Sequence, residues 1–372
     1  MGSALSILNH FPPWEHLIHP TPQTYTLFLN IFQYFPLVSL IQWLTSYHPA
    51  GKTSLKQSPL NLPGRWAWCI MEIVSPMTLL YLLYTLPQQY PSSTFPTGIP
   101  TNNKFLAFLF TLHYTNRAII SPFFAAPSIS PIHVLIASSA VAFNWLNAVC
   151  MAGWLVGYPL PSSPSSYSSS AAAASGSTTG RTWLAPLGLT LFLGGMAGNI
   201  SAERTLFRLR REEAHRKKKD DSTSTIKDTT TTKDDPKGKG DNKKDIYSKI
   251  YTIPPPTGLF TSILYPHYVA EWIEWLGFAI LAAGMVTSPS SSPSSPSVDV
   301  GGGFHLAPWL VPAAKLANWM GVPMPVPAVV FLVNAVSNML PHARWGRKWY
   351  VEKFGEGRVK GRGAVVPFFR WL

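Results

Sequence analysis

The chain has 372 residues, of which 46% are apolar and only 13% charged, yet Lys and Arg outnumber Asp and Glu by 30 to 17, a formal net charge of +13. Mean hydropathy is only +0.10 because long apolar stretches alternate with Ser/Pro/Thr-rich and Lys-rich segments. The apolar stretches are too long and too uncharged for ordinary soluble domains. The basic residues sit beside these stretches, which follows the rule for cytoplasmic loops and argues against nucleic acid as a partner.

The predicted architecture is all-α, a polytopic membrane protein of about seven transmembrane helices. Residues 1–24 carry no Lys or Arg and are interrupted by Pro12, Pro13 and Glu15. They read as a lumenal segment without a cleaved signal, leaving the first span as an uncleaved signal-anchor. The spans, each long enough for roughly 30 Å of hydrocarbon, are Tyr25 to Thr45, Trp66 to Leu86, Phe105 to Phe124, Ile132 to Val156, Trp183 to Leu206, Tyr265 to Val286, and Met324 to Leu340. Gly302 to Val322 is apolar but broken by Pro308, Pro312 and Lys315, and is predicted to be interfacial, with a re-entrant or spanning course as the alternatives. Cys69 and Cys150 fall inside spans and read as small buried hydrophobes.

The connections set the topology. Lys52, Lys56 and Arg65 lie between spans one and two. Arg208 to Lys249, between spans five and six, is strongly basic, as is the tail from Arg344 to Arg370. The opposite loops are nearly bare. The positive-inside rule therefore predicts a lumenal N-terminus and a cytosolic C-terminus. Residues 25–206 form the first five helices, with a flexible Ser-rich loop at 161–179. Residues 207–250 form a basic cytosolic loop, expected to be partly disordered from Asp221 to Asp245. Residues 251–372 hold helices six and seven and the tail. Ser288 to Ser297 is a second low-complexity loop.

Polar residues inside the spans come as a set. Span two has Glu72 among apolar neighbours. Span three has His113, Tyr114 and Arg117, with His113 and Arg117 at i, i+4. Span five ends with Asn199, Glu203 and Arg210 near one face. Span six has His267, Glu271 and Glu274 at i, i+4 and i+7, on one helical face. A carboxylate at mid-bilayer costs roughly 2.5–3.5 kcal/mol. A Glu72–Arg117 ion pair accounts for two of these groups structurally, and Asn199 taken alone suits helix–helix glue. Ionisable groups on four spans exceed what structural pairing needs. Beyond span seven, Trp349, Tyr350 and Phe354 interleave with Arg344, Arg347 and Lys353, a pattern that suits an adenine ring and phosphates or anionic headgroups. No GxGxxG, Walker, HExxH or GxSxG sequence is present, so no metal is expected. Gly194-Gly-Met-Ala-Gly198 reads as close helix packing.

Taken together, these residues resemble the steroid 5α-reductase (3-oxo-5α-steroid 4-dehydrogenase) family. The motifs are Tyr251-Thr-Ile-Pro254 with Gly258-Leu-Phe260, Pro266-His-Tyr268 with Glu271 and Glu274-Trp275, His113-Tyr114 with Arg117, Asn199-Ile200 with Glu203 and Arg210, Trp349-Tyr350 with Lys353-Phe354, and Val366-Pro-Phe368. The order and number of the motifs make the match specific. The resemblance implies a seven-helix fold in the endoplasmic reticulum membrane, with NADPH entering from the cytosol. Asn199, Glu203, Arg210, His267, Glu271, Tyr350 and Arg362 match positions that hold the cofactor; Tyr251 and Arg344 complete that predicted set at the cytosolic mouth. Glu72 and Tyr114 match the catalytic pair that engages the 3-oxo group. The chain departs from the family in the loop Phe124 to Pro131, which lacks basic residues, and at His342, where many relatives have Arg.

The implied chemistry suits these residue types. Reducing a double bond conjugated to a carbonyl requires hydride at the β-carbon and donors aimed at the enolate oxygen. Tyr114 donates, and Glu72 does so when protonated. A lipid or steroid-like enone is the expected substrate, with membrane lipids as the other partner. The sequence leaves the oligomeric state open. Enoyl-CoA or polyprenol reduction is the neighbouring alternative. Membrane methyl transfer and lipid binding or transport are alternatives of other classes.

Overall fold

A computed structural model describes residues 12–44, 58–89, 98–159, 182–227, 246–247, 250–285 and 304–369. In chain order its helices are α1 (Trp14–Ile18), α2 (Pro22–Phe32), α3 (Pro36–Leu44), α4 (Gly64–Gln89), α5 (Thr101–Thr115), α6 (Val134–Leu155), α7 (Leu184–Lys227), α8 (Pro266–Met285), α9 (Val311–Met320), α10 (Val326–Phe354) and α11 (Glu356–Val359). A two-residue antiparallel pair, β1 (Asn61–Leu62) with β2 (Ile132–His133), ties the start of α4 to the start of α6. The predicted flexible segments at 161–179 and Ser288 to Ser297, and residues 228–245 of the basic loop, lie outside the described residues.

Among the described residues, six helical stretches are long and apolar enough to cross a membrane: Pro22–Leu44, Gly64–Gln89, Val134–Leu155, Leu184–Asp220, Pro266–Met285 and Val326–Phe354. The protein is all-α and polytopic. The remaining predicted span, Phe105 to Phe124, is helical but changes character: α5 passes at Asn116 into a π-helical run, Asn116–Ala125. Pro122 lies inside this run and has no N–H to give it. Its end is held from outside, as the Arg65 guanidinium donates to the carbonyls of Pro122, Ala126 and Pro127, and Arg211 to that of Ala125. These donors satisfy carbonyls that a helix C-terminus leaves unpaired.

The first span is broken by a turn between α2 and α3, where Pro36 cannot continue the ladder. Gln33 fills the break. Its side chain donates to His305 O at 2.7 Å and accepts from Ala307 N at 2.8 Å. These bonds seat the 304–310 segment on the first span. The following helix, α9, has 10 residues, roughly 15 Å of rise, half a hydrocarbon core. It is too short to span.

The α7 helix continues well past the predicted membrane exit at Leu206, to Lys227, for 44 residues in all. From Arg208 to Lys219 its polar half is rich in good helix formers, with Arg208–Glu212 and Arg216–Glu213 pairs at 3.8 and 2.8 Å. Inside the membrane α7 and α8 form the tightest pair. A Cβ added at Gly195 would collide with the backbone of Ala270 and Glu274, and one at Gly277 with the backbone at Leu191 and Phe192. Only glycine permits that approach, and it brings Asn199 and Glu203 alongside Glu271. Leu82, Phe110, Val149, Trp275 and Phe331 join α4, α5, α6, α8 and α10 in one buried core.

Candidate active site

The intramembrane polar residues converge on Arg117, in the first turn of the π-helical run. Its Nε donates to Glu72 Oε1 of α4 at 3.0 Å, and its Nη1 to Glu271 Oε2 of α8 at 3.3 Å. Glu203 of α7 approaches the same Nη1 at 4.0 Å and accepts from Ser121 Oγ at 3.3 Å. Asn199 Nδ2 donates to Glu271 Oε2 at 3.2 Å. The indole of Trp68 donates to Arg117 O at 3.1 Å and lies beneath the guanidinium, 5.2 Å from ring centroid to carbon. The π-helical register serves this convergence, since it re-aims residues on a helix at such sites.

One turn away, His113 Nδ1 meets Glu274 Oε1 at 2.7 Å, with the Glu274 side chain wholly buried. The His113 ring also packs edge-on against Trp275 and Tyr114, at centroid distances of 4.7 and 5.2 Å. Four carboxylates, Glu72, Glu203, Glu271 and Glu274, thus face a single guanidinium and a single imidazole. In low dielectric this acidic surplus favours positive charge brought nearby.

Tyr114 is 2% exposed. Its hydroxyl donates to Asn144 Oδ1 at 3.1 Å and accepts from Asn147 Nδ2 at 3.4 Å, both on α6. Glu72 is within electrostatic reach of the phenol, but its hydrogen bond goes to Arg117. The predicted catalytic pair is therefore brought into one neighbourhood without being bonded to each other, and the ion pair weighed against catalysis is present.

The other predicted cofactor residues form a second layer towards the end of α10. His267 packs against Tyr265 and Tyr268, with centroids at 5.6 and 4.5 Å. Tyr350, buried, packs against Tyr265 and Phe354. Tyr251 meets Trp349 edge-on at 4.9 Å, and the Lys353 ammonium sits 4.4 Å from the Tyr251 centroid and 4.8 Å from that of Trp349. Arg362 donates to Val359 O, Pro254 O and Phe260 O at 3.0, 2.9 and 3.1 Å, pinning the 251–260 motif to the tail. Burial pushes its guanidinium below the ordinary arginine value, with Tyr350 acting in the opposite sense. Arg210 donates to Ser128 O, Ser128 Oγ and Tyr247 O at 2.9, 2.7 and 2.9 Å, so it grips the very loop that lacks basic residues of its own. Arg344 joins neither layer through these contacts. It stacks over Trp43 and Trp345, towards α3.

Sequence reasoning missed Asn144 and Asn147, two amides one turn apart in an otherwise apolar span. Intramembrane amides were the available signal. Arg347, read as one of the cations interleaved with the tail aromatics, is buried, donates to Arg362 O at 2.8 Å and pairs with Glu356 at 2.9 Å.

No family model matches the chain. Among curated proteins, an uncharacterized protein of Schizosaccharomyces pombe is 30% identical over 334 residues, 86% of this chain and 90% of that protein. Steroid 5-alpha-reductase DET2 of Arabidopsis thaliana is 26% identical over 362 residues, 95% of this chain and 99% of its own length. The 3-oxo-5-alpha-steroid 4-dehydrogenase 1 of Homo sapiens is 25% identical over 318 residues, 86% of this chain and 85% of its own. With likeness of this extent over most of the chain to several curated proteins with these names, the chain belongs to the steroid 5-alpha-reductase family of oxidoreductases acting on CH–CH donors.

Proposed function

We propose that this enzyme reduces a carbon–carbon double bond conjugated to a carbonyl in a lipid of the 3-oxo-Δ4 steroid type, using NADPH, in the endoplasmic reticulum membrane. The observation that carries the reading is that the buried Tyr114 hydroxyl lies within electrostatic reach of Glu72 and Arg117, the first two members of the chain Glu72–Arg117–Glu271–Asn199. A donor for a carbonyl and the residues matched to cofactor positions share one neighbourhood. The relatives named above, which carry steroid 5-alpha-reductase or steroid 4-dehydrogenase names, supply the substrate class.

The residues fit a nicotinamide cofactor. Asn199 Oδ1 is buried without a hydrogen-bond partner, an acceptor suited to a carboxamide N–H. Both bonds to Glu271 arrive at Oε2, leaving Oε1 to accept a third. The acidic surplus around Arg117 stabilises positive charge developing in that space. His267, Tyr350 and Tyr251 line the second layer with ring faces for an adenine. Lys353 brings a cation among them. Arg210, Arg362 and Glu203 hold the walls of the site, while Arg344 stays stacked on Trp43 and Trp345. The bound cofactor supplies a hydride to the β-carbon.

Tyr114 donates to the carbonyl oxygen as the electron pair of the double bond moves onto it. Glu72 lies beside this donor with its carboxyl group held by Arg117, and that pairing is the role that competes with contact to the carbonyl. A proton drawn from bulk solvent reaches the α-carbon and completes the saturation, so the substrate gains one hydride and one proton.

The test is incubation of detergent-purified protein with NADPH and a panel of 3-oxo-Δ4 steroids, an enoyl-CoA and polyprenols, read by mass spectrometry. Gain of two hydrogens by a steroid, dependent on NADPH, is the expected result. Gain only by the enoyl-CoA or a polyprenol would move the chain to a neighbouring activity. No reduction together with no NADPH binding would end the reductase reading.

A further inference from the structure

The asparagines of α6 are polar groups that the reaction as stated does not use. Asn144 and Asn147 stand at i, i+3 on one helical face and are 6% and 0% exposed. Amides that serve as helix glue in membranes bond across helices to whatever is nearest. These two converge instead on one atom, the Tyr114 hydroxyl oxygen, one accepting its proton and the other donating to it. Asn144 is itself anchored, with its Nδ2 donating to Met71 O at 2.6 Å, one residue before Glu72. Asn147 makes no such anchor. Its Oδ1 is buried without a partner, a desolvation cost that a leucine at this position would avoid. Packing alone does not explain an amide there.

We infer that Asn144 and Asn147 are positioning residues for Tyr114, fixing the direction and the donor strength of the hydroxyl that meets the substrate carbonyl. The inference rests on the reading of Tyr114 as that donor. A phenol O–H rotates freely unless its partners fix it. Without substrate, Asn144 Oδ1 holds the proton. With substrate, the carbonyl oxygen replaces Asn144 as acceptor. Asn147 keeps donating to the phenol oxygen, which polarises the O–H bond and offsets the negative charge that grows there as the enolate forms. The Asn144–Met71 bond meanwhile ties α6 to the turn of α4 that carries Glu72, so hydroxyl and carboxyl keep one register.

The experiment measures kcat, steroid KM and NADPH Kd on purified full-length protein for Asn147→Ala, Asn147→Ser, Tyr114→Phe and the double variant Asn147→Ala/Tyr114→Phe. Asn147→Ala should lower kcat about ten-fold, the scale of one hydrogen bond tightened in the transition state, with KM and Kd little changed. Asn147→Ser, which keeps a donor, should retain more turnover. In the Tyr114→Phe background Asn147→Ala should cost nothing further, because the group it acts through is gone. A merely structural amide predicts additive losses and a raised Kd. A slow Tyr114→Phe enzyme beside an unimpaired Asn147→Ala enzyme would overturn the clamp alone. A fully active Tyr114→Phe enzyme would remove the underlying reading and the clamp with it. Should Asn147→Ala fail to fold, the turnover of Asn147→Ser against wild type decides, with equal loss in wild-type and Tyr114→Phe backgrounds counting against the proposal.

Discussion

Arg117 holds Glu72 at 3.0 Å, so the carboxylate matched to the substrate carbonyl is already engaged by the helix that carries Tyr114. The same guanidinium reaches Glu271 at 3.3 Å. A single side chain therefore couples the groups assigned to the substrate with those assigned to the cofactor, and a change at one end is felt at the other.

Glu271 is the first place to see that coupling. Glu271→Ala leaves Arg117 and Asn199 without their shared acceptor, and breaking a buried pair commonly costs about 3–5 kcal/mol. NADPH affinity should fall by at least ten-fold while the protein still inserts and purifies. Equilibrium binding by fluorescence titration checks this. Unchanged affinity would return Glu271 to a purely structural role.

The His113–Glu274 pair makes a different prediction. Glu274→Leu alone strands His113 in an apolar wall and should lower the melting temperature in detergent. The double variant His113→Leu/Glu274→Leu removes both polar groups and should recover most of that loss, since a buried pair replaced by apolar residues of similar size is often neutral. A double variant no more stable than the single one would mean that the pair does more than satisfy itself.

Gly195 tests the seam between α7 and α8. A Cβ there meets the backbone of Glu274, so Gly195→Val must push the helices apart. Overpacking costs about 1–3 kcal/mol. Moving Asn199 away from Glu271 should also weaken NADPH binding. Wild-type melting and wild-type affinity together would contradict the close approach.

Much of this was legible in the sequence, for an identifiable reason. A carboxylate in a hydrocarbon span is costly enough that Glu72, Glu271 and Glu274 announce a polar interior wherever they fall, and the i, i+4, i+7 spacing sets His267, Glu271 and Glu274 on one face of α8. The glycines between Gly194 and Gly198 likewise signalled close packing, and Gly195 makes it. What the sequence hid were features set by neighbours distant in the chain. The turn at Gln33 needs the 304–310 segment to satisfy its amide. The π-helical run from Asn116 needs Arg65 and Arg211 to hold its end. Arg344 reads in the sequence as a member of the cofactor set, and only the indoles of Trp43 and Trp345 direct it towards α3. The polar half of α7 looked like a loop because it has no apolar stripe, yet its Glu, Arg and Lys residues have helix propensity enough to continue to Lys227.

The most direct measurement is steady-state turnover of a 3-oxo-Δ4 steroid by wild type, Tyr114→Phe and Glu72→Gln, with NADPH affinity and melting temperature taken on the same preparations. Losing one oxyanion donor costs about 10²–10³ in rate. Tyr114→Phe should show that loss while binding NADPH and melting as wild type does. Glu72→Gln should also lose turnover, with the two losses less than additive when combined, because both groups act on one oxygen. Normal turnover in Tyr114→Phe, beside a Glu72→Gln protein that is destabilised but active, would contradict the account and leave the Arg117–Glu72 bond as structure alone.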